Sequence, residues 1–212
     1  MIDMHSHEDE NTADGLASKS TSSISTSSAL VTAGIARRAE HRCLSALSKR
    51  AEQSETLEVT RPSVTNCPDA GHDIDVRGGT KEVKELVGEL TAAEPDSLAF
   101  LDGAAEKGQL QVRIDVKSGN TVTADMIDGH AANSSRSPTF QVNLLLVTNP
   151  DVRITKEAQK KLAHYQSSFK EIGVLIDVTR PECLERMEAR NRAVAPSALD
   201  AIEVQQGLSK PE

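Results

Sequence analysis

Apolar residues recur at three- and four-residue steps between Leu30 and Ala51, where Ala36, Ala39, Cys43, Leu44, Leu47 and Ala51 fall on one stripe of a predicted helix. Two short runs follow. Thr56 to Thr60, closed by Pro62, and Asp73 to Arg77, closed by Gly78-Gly79, each read as a strand bounded by breakers, with a turn-rich segment from Asn66 to Gly71 between them. Lys81 to Ala92 sets Val83, Leu86, Val87 and Leu90 at helical spacing and stops before Pro95, which predicts an inserted helix with one charged face.

Ser97 to Leu101 and Leu110 to Lys117 flank Glu106-Lys107-Gly108, a pattern expected of a hairpin whose second strand turns Val112, Ile114 and Val116 inward. A short helix is predicted over Thr123 to Ala132. The most apolar strand is Gln141 to Thr148, followed by a helix over Thr155 to Ile172, a strand over Val174 to Val178 and a helix from Pro181 to about Ala193. A continuous apolar strand, then a helix, then another strand implies a buried parallel pair joined by a right-handed crossover. The expected fold class is therefore α/β, a mixed central sheet flanked by helices on both faces.

The ends look different. Residues 1 to 28 join an acidic opening to a Ser/Thr tract from Ser18 to Ser28 with almost nothing to bury, so a disordered tail is expected there. An α/β domain over 29–195 and a flexible tail over 196–212 complete the expected organisation. His5 and His7 could share a metal ion, but no further ligands are fixed near them in sequence, and a solvated tail is the simpler reading.

Composition narrows the chemistry. With no Trp, one Tyr and three Phe in 212 residues, the core has to be built from aliphatic side chains. No apolar run approaches the roughly 20 residues that span a bilayer, and no apolar stretch follows the first Met, so no membrane or secretory role is expected. Cys43, Cys67 and Cys183 are odd in number and widely spaced, which argues against a disulfide framework or a zinc cage and for an intracellular compartment. A formal charge of -8 repels a polyanion at long range, so contact with nucleic acid would need a local basic face or metal ions. Arg153, Lys156, Lys160 and His164, on one stripe opposite Ala158, Leu162, Tyr165 and Phe169, form such a face or an ordinary solvated one. Motifs for serine hydrolases, P-loop nucleotide binding, HExxH zinc proteases and dinucleotide binding are missing from the chain.

Asp115 and Lys117 stand two residues apart in a predicted strand and so share a face. Metal-dependent phosphodiester cleavage uses that pairing, carboxylates to hold a hard divalent cation and a Lys to orient the attacking water and offset developing charge. A second carboxylate is needed from a neighbouring strand. Asp73 and Asp75, themselves at period two, are both candidates, and the choice between them stays open; Asp75 is preferred to the Asp96 alternative because its motif is longer than a dipeptide. A rival takes Pro95-Asp96 as the first acid, brought near Asp115 by antiparallel pairing about Lys107. Glu40, on the first helix, is a candidate third acid.

The order helix, strand, Asp-containing turn, strand, D-x-K, helix, LLLVTNP and a helix returning to VLIDV resembles the restriction-endonuclease-like PD-(D/E)XK superfamily, in its Mrr-type branch. Ile74-Asp75-Val76-Arg77-Gly78 resembles the G-I-D-L-x-G motif of a fungal family required for mitochondrial respiratory growth, and the likeness spans roughly residues 34 to 192. Glu40, the insertion from Lys81 to Pro95, and Asn191-Arg192 fall where that family has a helix-borne Glu, an insertion and an Asn-Arg. The resemblance implies a restriction-endonuclease-like fold and a nuclease acting on DNA. Asp75, Asp115 and Lys117 would be catalytic, and Asp75, Asp115, Asp73 and Glu40 would be metal ligands for Mg2+ or Mn2+. It further implies a mitochondrial role in genome or respiratory maintenance. A homodimer is an open expectation for the assembly. The alternative expectation is an inactive nuclease fold serving as a binding or assembly factor.

Overall fold

A strand confined to the middle of a sheet has to satisfy neighbours on both edges and both faces, and β3 (Gln109–Lys117) is that strand here. The computed structural model describes residues 22–62 and 73–194, with side chains from Val31 onward. The chain divides into two compact units, 1–34 and 35–212. Of the first unit, the described residues form the opening of helix α1 (Ser22–Ala51). The expected disordered tail is thus helical from Ser22. The rest of that expectation, His5, His7, Cys67, the Asn66–Gly71 turn and the tail over 196–212 lie outside the described residues.

In the second unit the order β1-β2-β3-β5-β7 makes a mixed sheet from β1 (Glu58–Thr60), β2 (Ile74–Gly79), β3, β5 (Val142–Val147) and β7 (Leu175–Thr179). β1, β2 and β3 run antiparallel as a meander, and β5 and β7 then add in parallel. Parallel neighbours need crossovers, supplied by α3 (Ala124–Arg136) and α4 (Lys156–Lys170). Each begins on a threonine cap. Thr123 accepts a hydrogen bond from Met126 N at 3.4 Å, and Thr155 accepts one from Ala158 N at 3.2 Å. Two short strands absent from the sequence prediction, β4 (Thr121–Val122) and β6 (Arg153–Ile154), pair in parallel and set where α4 starts.

The two faces differ in kind. Ile74, Val76, Val112, Ile114, Val142 and Leu144 enter the larger core, under α1, α2 (Thr80–Thr91) and α5 (Pro181–Val194). α2 buries the predicted Val83, Leu86, Val87 and Leu90. Charged groups join these helices: Arg42 grips Glu188 with two 2.8 Å bonds, and the buried Arg50 reaches Glu89 at 3.3 Å. Asn191 donates to Ala46 O at 2.9 Å, tying α5 to α1 in a structural role. On the opposite face α3 and α4 cover Leu145, Val147, Ile176 and Val178 in two smaller clusters.

One predicted strand is not a strand. Residues 97–101 lie within a 3-10 helix, Pro95–Asp102, where the three-residue spacing of Leu98 and Leu101 stacks both on the buried side and Pro95 sits at the N-terminus. The turn at Lys107-Gly108 does form, with both residues at positive φ, but it feeds β3 toward β2 and not toward residues 97–101. Nor do Gly78-Gly79 stop β2. They are its last two residues, and Leu57 packs where a side chain on Gly78 would go.

Leu144 is fully buried in the strand between β3 and β7. Leu144→Ala should cost roughly 2–5 kcal/mol of unfolding free energy in urea titrations. A loss below about 1 kcal/mol would be inconsistent with its central place in the larger core.

Candidate functional site

Period-two alternation along β3 sends Leu110, Val112, Ile114 and Val116 into the larger core and Arg113, Asp115 and Lys117 to the other face. There Arg113 is 0% exposed and Asp115 3%. Charges this deep need partners. Asp115 Oδ2 lies 2.7 Å from Nδ1 of His130, a buried residue of α3, and Asp115 Oδ1 lies 3.6 Å from Arg113 Nη2. His130 was not singled out from the sequence. The signal was present in the helical spacing of Ile127, His130, Ala131 and Ser134, which puts His130 on the inward stripe facing the polar side of β3.

The β2–β3 register runs Ile74↔Ile114 and Asp75↔Arg113, so Asp73 stands opposite Asp115, one residue beyond the last rung. Its backbone N donates to Ile114 O at 2.9 Å, and its Oδ2 accepts from Val116 N at 2.7 Å, so the side chain extends the ladder past the end of the strand. Burial pushes the Asp73 carboxyl up. The Val116 N–H and the Lys117 ammonium pull it down, and the negative charges of Glu40 and Asp115 add to the rise. Asp73, Glu40, Asp115 and Lys117 therefore share one electrostatic neighbourhood. Asp75 pairs across the sheet with Thr60 on one side and Arg113 on the other.

Glu40 is half-buried on α1 and bonded to Arg61 at 2.7 Å. Asp96 is exposed on the 3-10 helix, and its expected approach to Asp115 fails because β3 takes β2, not residues 97–101, as its antiparallel partner. The Cys43 thiol, buried on α1, is pushed up to about 12, mainly by that burial, which removes it as a thiolate nucleophile at neutral pH. Arg153, Lys156, Lys160 and His164 are all exposed, with Ala158 and Phe169 buried on the opposite side of α4.

Among the described residues, no three His, Cys, Asp or Glu side chains are grouped to hold a metal ion. What the site offers is a pair of carboxylates. Asp115 Oδ1 is buried with no hydrogen-bond partner, and Asp73 Oδ2 accepts from Val116 N. That donor set fits Mg2+, which keeps several waters and takes one or two carboxylates together with substrate phosphates, and does not fit a closed zinc cage.

Comparison with known proteins finds no matching family model, no matching curated protein and no matching solved structure. Among the described residues, no helix is long and apolar enough to cross a membrane.

The raised Asp73 carboxyl has a measurable consequence. Because folding raises its pKa, the group stabilises the native state fully below the unfolded value of about 3.9, and that contribution is lost as pH rises through the folded value. Asp73→Asn retains an oxygen for Val116. In metal-free buffer it should melt at a higher temperature than wild type at pH 7 and lose that advantage near pH 3.5. Lower stability at both pH values would show that the attraction of Lys117 outweighs burial.

Proposed function

We propose that this chain is a metal-dependent nuclease of the restriction-endonuclease-like class. The particular activity we assign is Mg2+- or Mn2+-dependent hydrolysis of DNA phosphodiester bonds, in the mitochondrial genome or respiratory role that the family resemblance implies. The observation that carries this reading is the register that sets Asp73 opposite Asp115, with Lys117 two residues further along the same face.

In this reading Asp73 and Asp115 would hold the cation, which when bound polarises the scissile phosphate and acidifies an attacking water. Lys117 is half-buried beside these carboxylates. Its ammonium donates hydrogen bonds that orient the water and offsets the charge gathering on the phosphate oxygens. Glu40, one step removed and already paired with Arg61, tunes Asp73 through its charge. Arg153 on β6 and Lys156 and Lys160 on α4, all exposed, supply local positive charge for the DNA backbone on a chain whose net charge is -8.

One observation favours a second reading, an inactive nuclease fold that serves as a binding or assembly factor. Asp115 is buried and already bonded to His130, with Arg113 close by, as expected of a charge cluster satisfied from within.

Purified wild type is expected to cleave plasmid and single-stranded DNA only with Mg2+ or Mn2+. Asp73→Ala, Asp115→Ala and Lys117→Ala should each slow cleavage by at least about 100-fold. Asp96→Ala should leave it unchanged. A folded wild type that does not cut, or cuts equally well after these three substitutions, would move the assignment to the binding factor.

A further inference from the structure

We infer that Asp177 is an edge guard, a carboxylate that closes the free edge of the sheet at β7 to strand addition by a second copy of this chain. The inference stands apart from the proposed nuclease chemistry and uses none of its residues.

The five-stranded sheet ends on β1 at one edge and β7 at the other. An open edge presents unpaired N–H and C=O groups, a template for pairing with another chain. β1 is three residues long and offers little of one, whereas β7 has five. Leu175 N donates to Gln141 O at 2.8 Å, so the backbone groups of Leu175, Asp177 and Thr179 turn toward β5, and those of Ile176 and Val178 turn toward the open side. That side is reachable. A groove of about 560 Å3 lies against Asp177 and Val178, lined also by Thr91 and Ala92 at the end of α2 and by Gln159 and Leu162 of α4.

Asp177 occupies the outward N–H. Its Oδ1 accepts from Val178 N at 2.7 Å and from Gln166 Nε2 of α4 at 3.0 Å, so a carboxylate and an amide stand where a partner strand would have to pair. This residue is a costly choice for the fold. Leu175, two residues earlier on the same face, packs against the larger core, and an aliphatic side chain at 177 would continue that packing. Burial instead pushes the Asp177 carboxyl up, against the pull of the Val178 N–H, Gln166 and Arg180. Charge placed on an edge strand is a recognised way to blunt edge-to-edge pairing. A second copy is the partner it excludes most directly. Two β7 edges meeting antiparallel about a two-fold axis would set the two Asp177 carboxylates opposite each other or on a diagonal of the joined sheet, where like charges repel.

Sedimentation velocity on the full-length protein, combined with amide hydrogen exchange, tests this. Asp177→Val removes both the acceptor and the charge. It should self-associate at least about tenfold more tightly than wild type, and exchange at the Ile176 and Val178 amides should slow as its concentration rises. Adding Val178→Pro takes away the outward N–H without touching the bonds to β5, and should return association to the wild-type level. If Asp177→Val does not fold, Asp177→Thr carries the same test. Folded variants that associate no more tightly than wild type would overturn the guard. So would association that leaves exchange at Val178 unchanged or that persists in the Val178→Pro double variant, and so would a wild type that already shields its Val178 amide by self-association.

Discussion

The burial of charge on one face of β3 is the constraint around which the rest of the structure is arranged. A central strand alternates its side chains between two faces, and here one face is wholly aliphatic while the other carries Arg113 and Asp115 in the interior. An ionised group removed from water costs several kcal/mol unless it is paired and hydrogen-bonded. His130 from α3 and the guanidinium of Arg113 answer that cost for Asp115. A slip of one residue would turn Leu110, Val112 and Ile114 toward His130 and carry Arg113 and Asp115 into the aliphatic core, so the register of β3 is fixed from both faces.

That division of labour extends to the helices. α1, α2 and α5 pack on the aliphatic face, where Leu47, Leu86, Leu90 and Leu184 fill the space under the sheet and Arg42, Arg50 and Asn191 join the helices at their edges. α3 and α4 cover the other face with fewer apolar residues, because part of its area belongs to polar side chains. The scarcity of aromatic residues shows in this layer, where Tyr165 and Phe169 meet edge to face at 6.2 Å.

Among the described residues, three buried polar atoms without hydrogen-bond partners lie close together. Asp115 Oδ1, His130 Nε2 and Asn143 Oδ1 belong to neighbouring residues on the polar face, Asn143 being the rung partner of Arg113 on β5. Buried unsatisfied groups are rare in folded proteins, and these three lie together on the polar face of the sheet. The Asp73 carboxyl is raised because burial near Glu40 and Asp115 makes its ionised form costly in the folded chain.

The sequence by itself determined the element types that rest on strong periodicity. The stripe of α2, the apolar run of β5, the α4 helix with its Ala158–Phe169 inner face, and the shared face of Asp115 and Lys117 all follow from side-chain spacing, a local property of the chain. Tertiary structure decided what depends on partners. The short run from Ser97 to Leu101 reads as a strand in isolation, and the core that Leu98 and Leu101 both meet selects the 3-10 form. Asp73 and Asp75 share a face at period two, and only the offset between β2 and β3 sets one opposite Asp115 and the other opposite Arg113. His130 lies fifteen residues from Asp115 on another element, so their bond existed in the spacing of α3 only as an inward direction until the crossover laid that helix over the strand. Register and crossover geometry are relations between distant segments, and no local pattern encodes them.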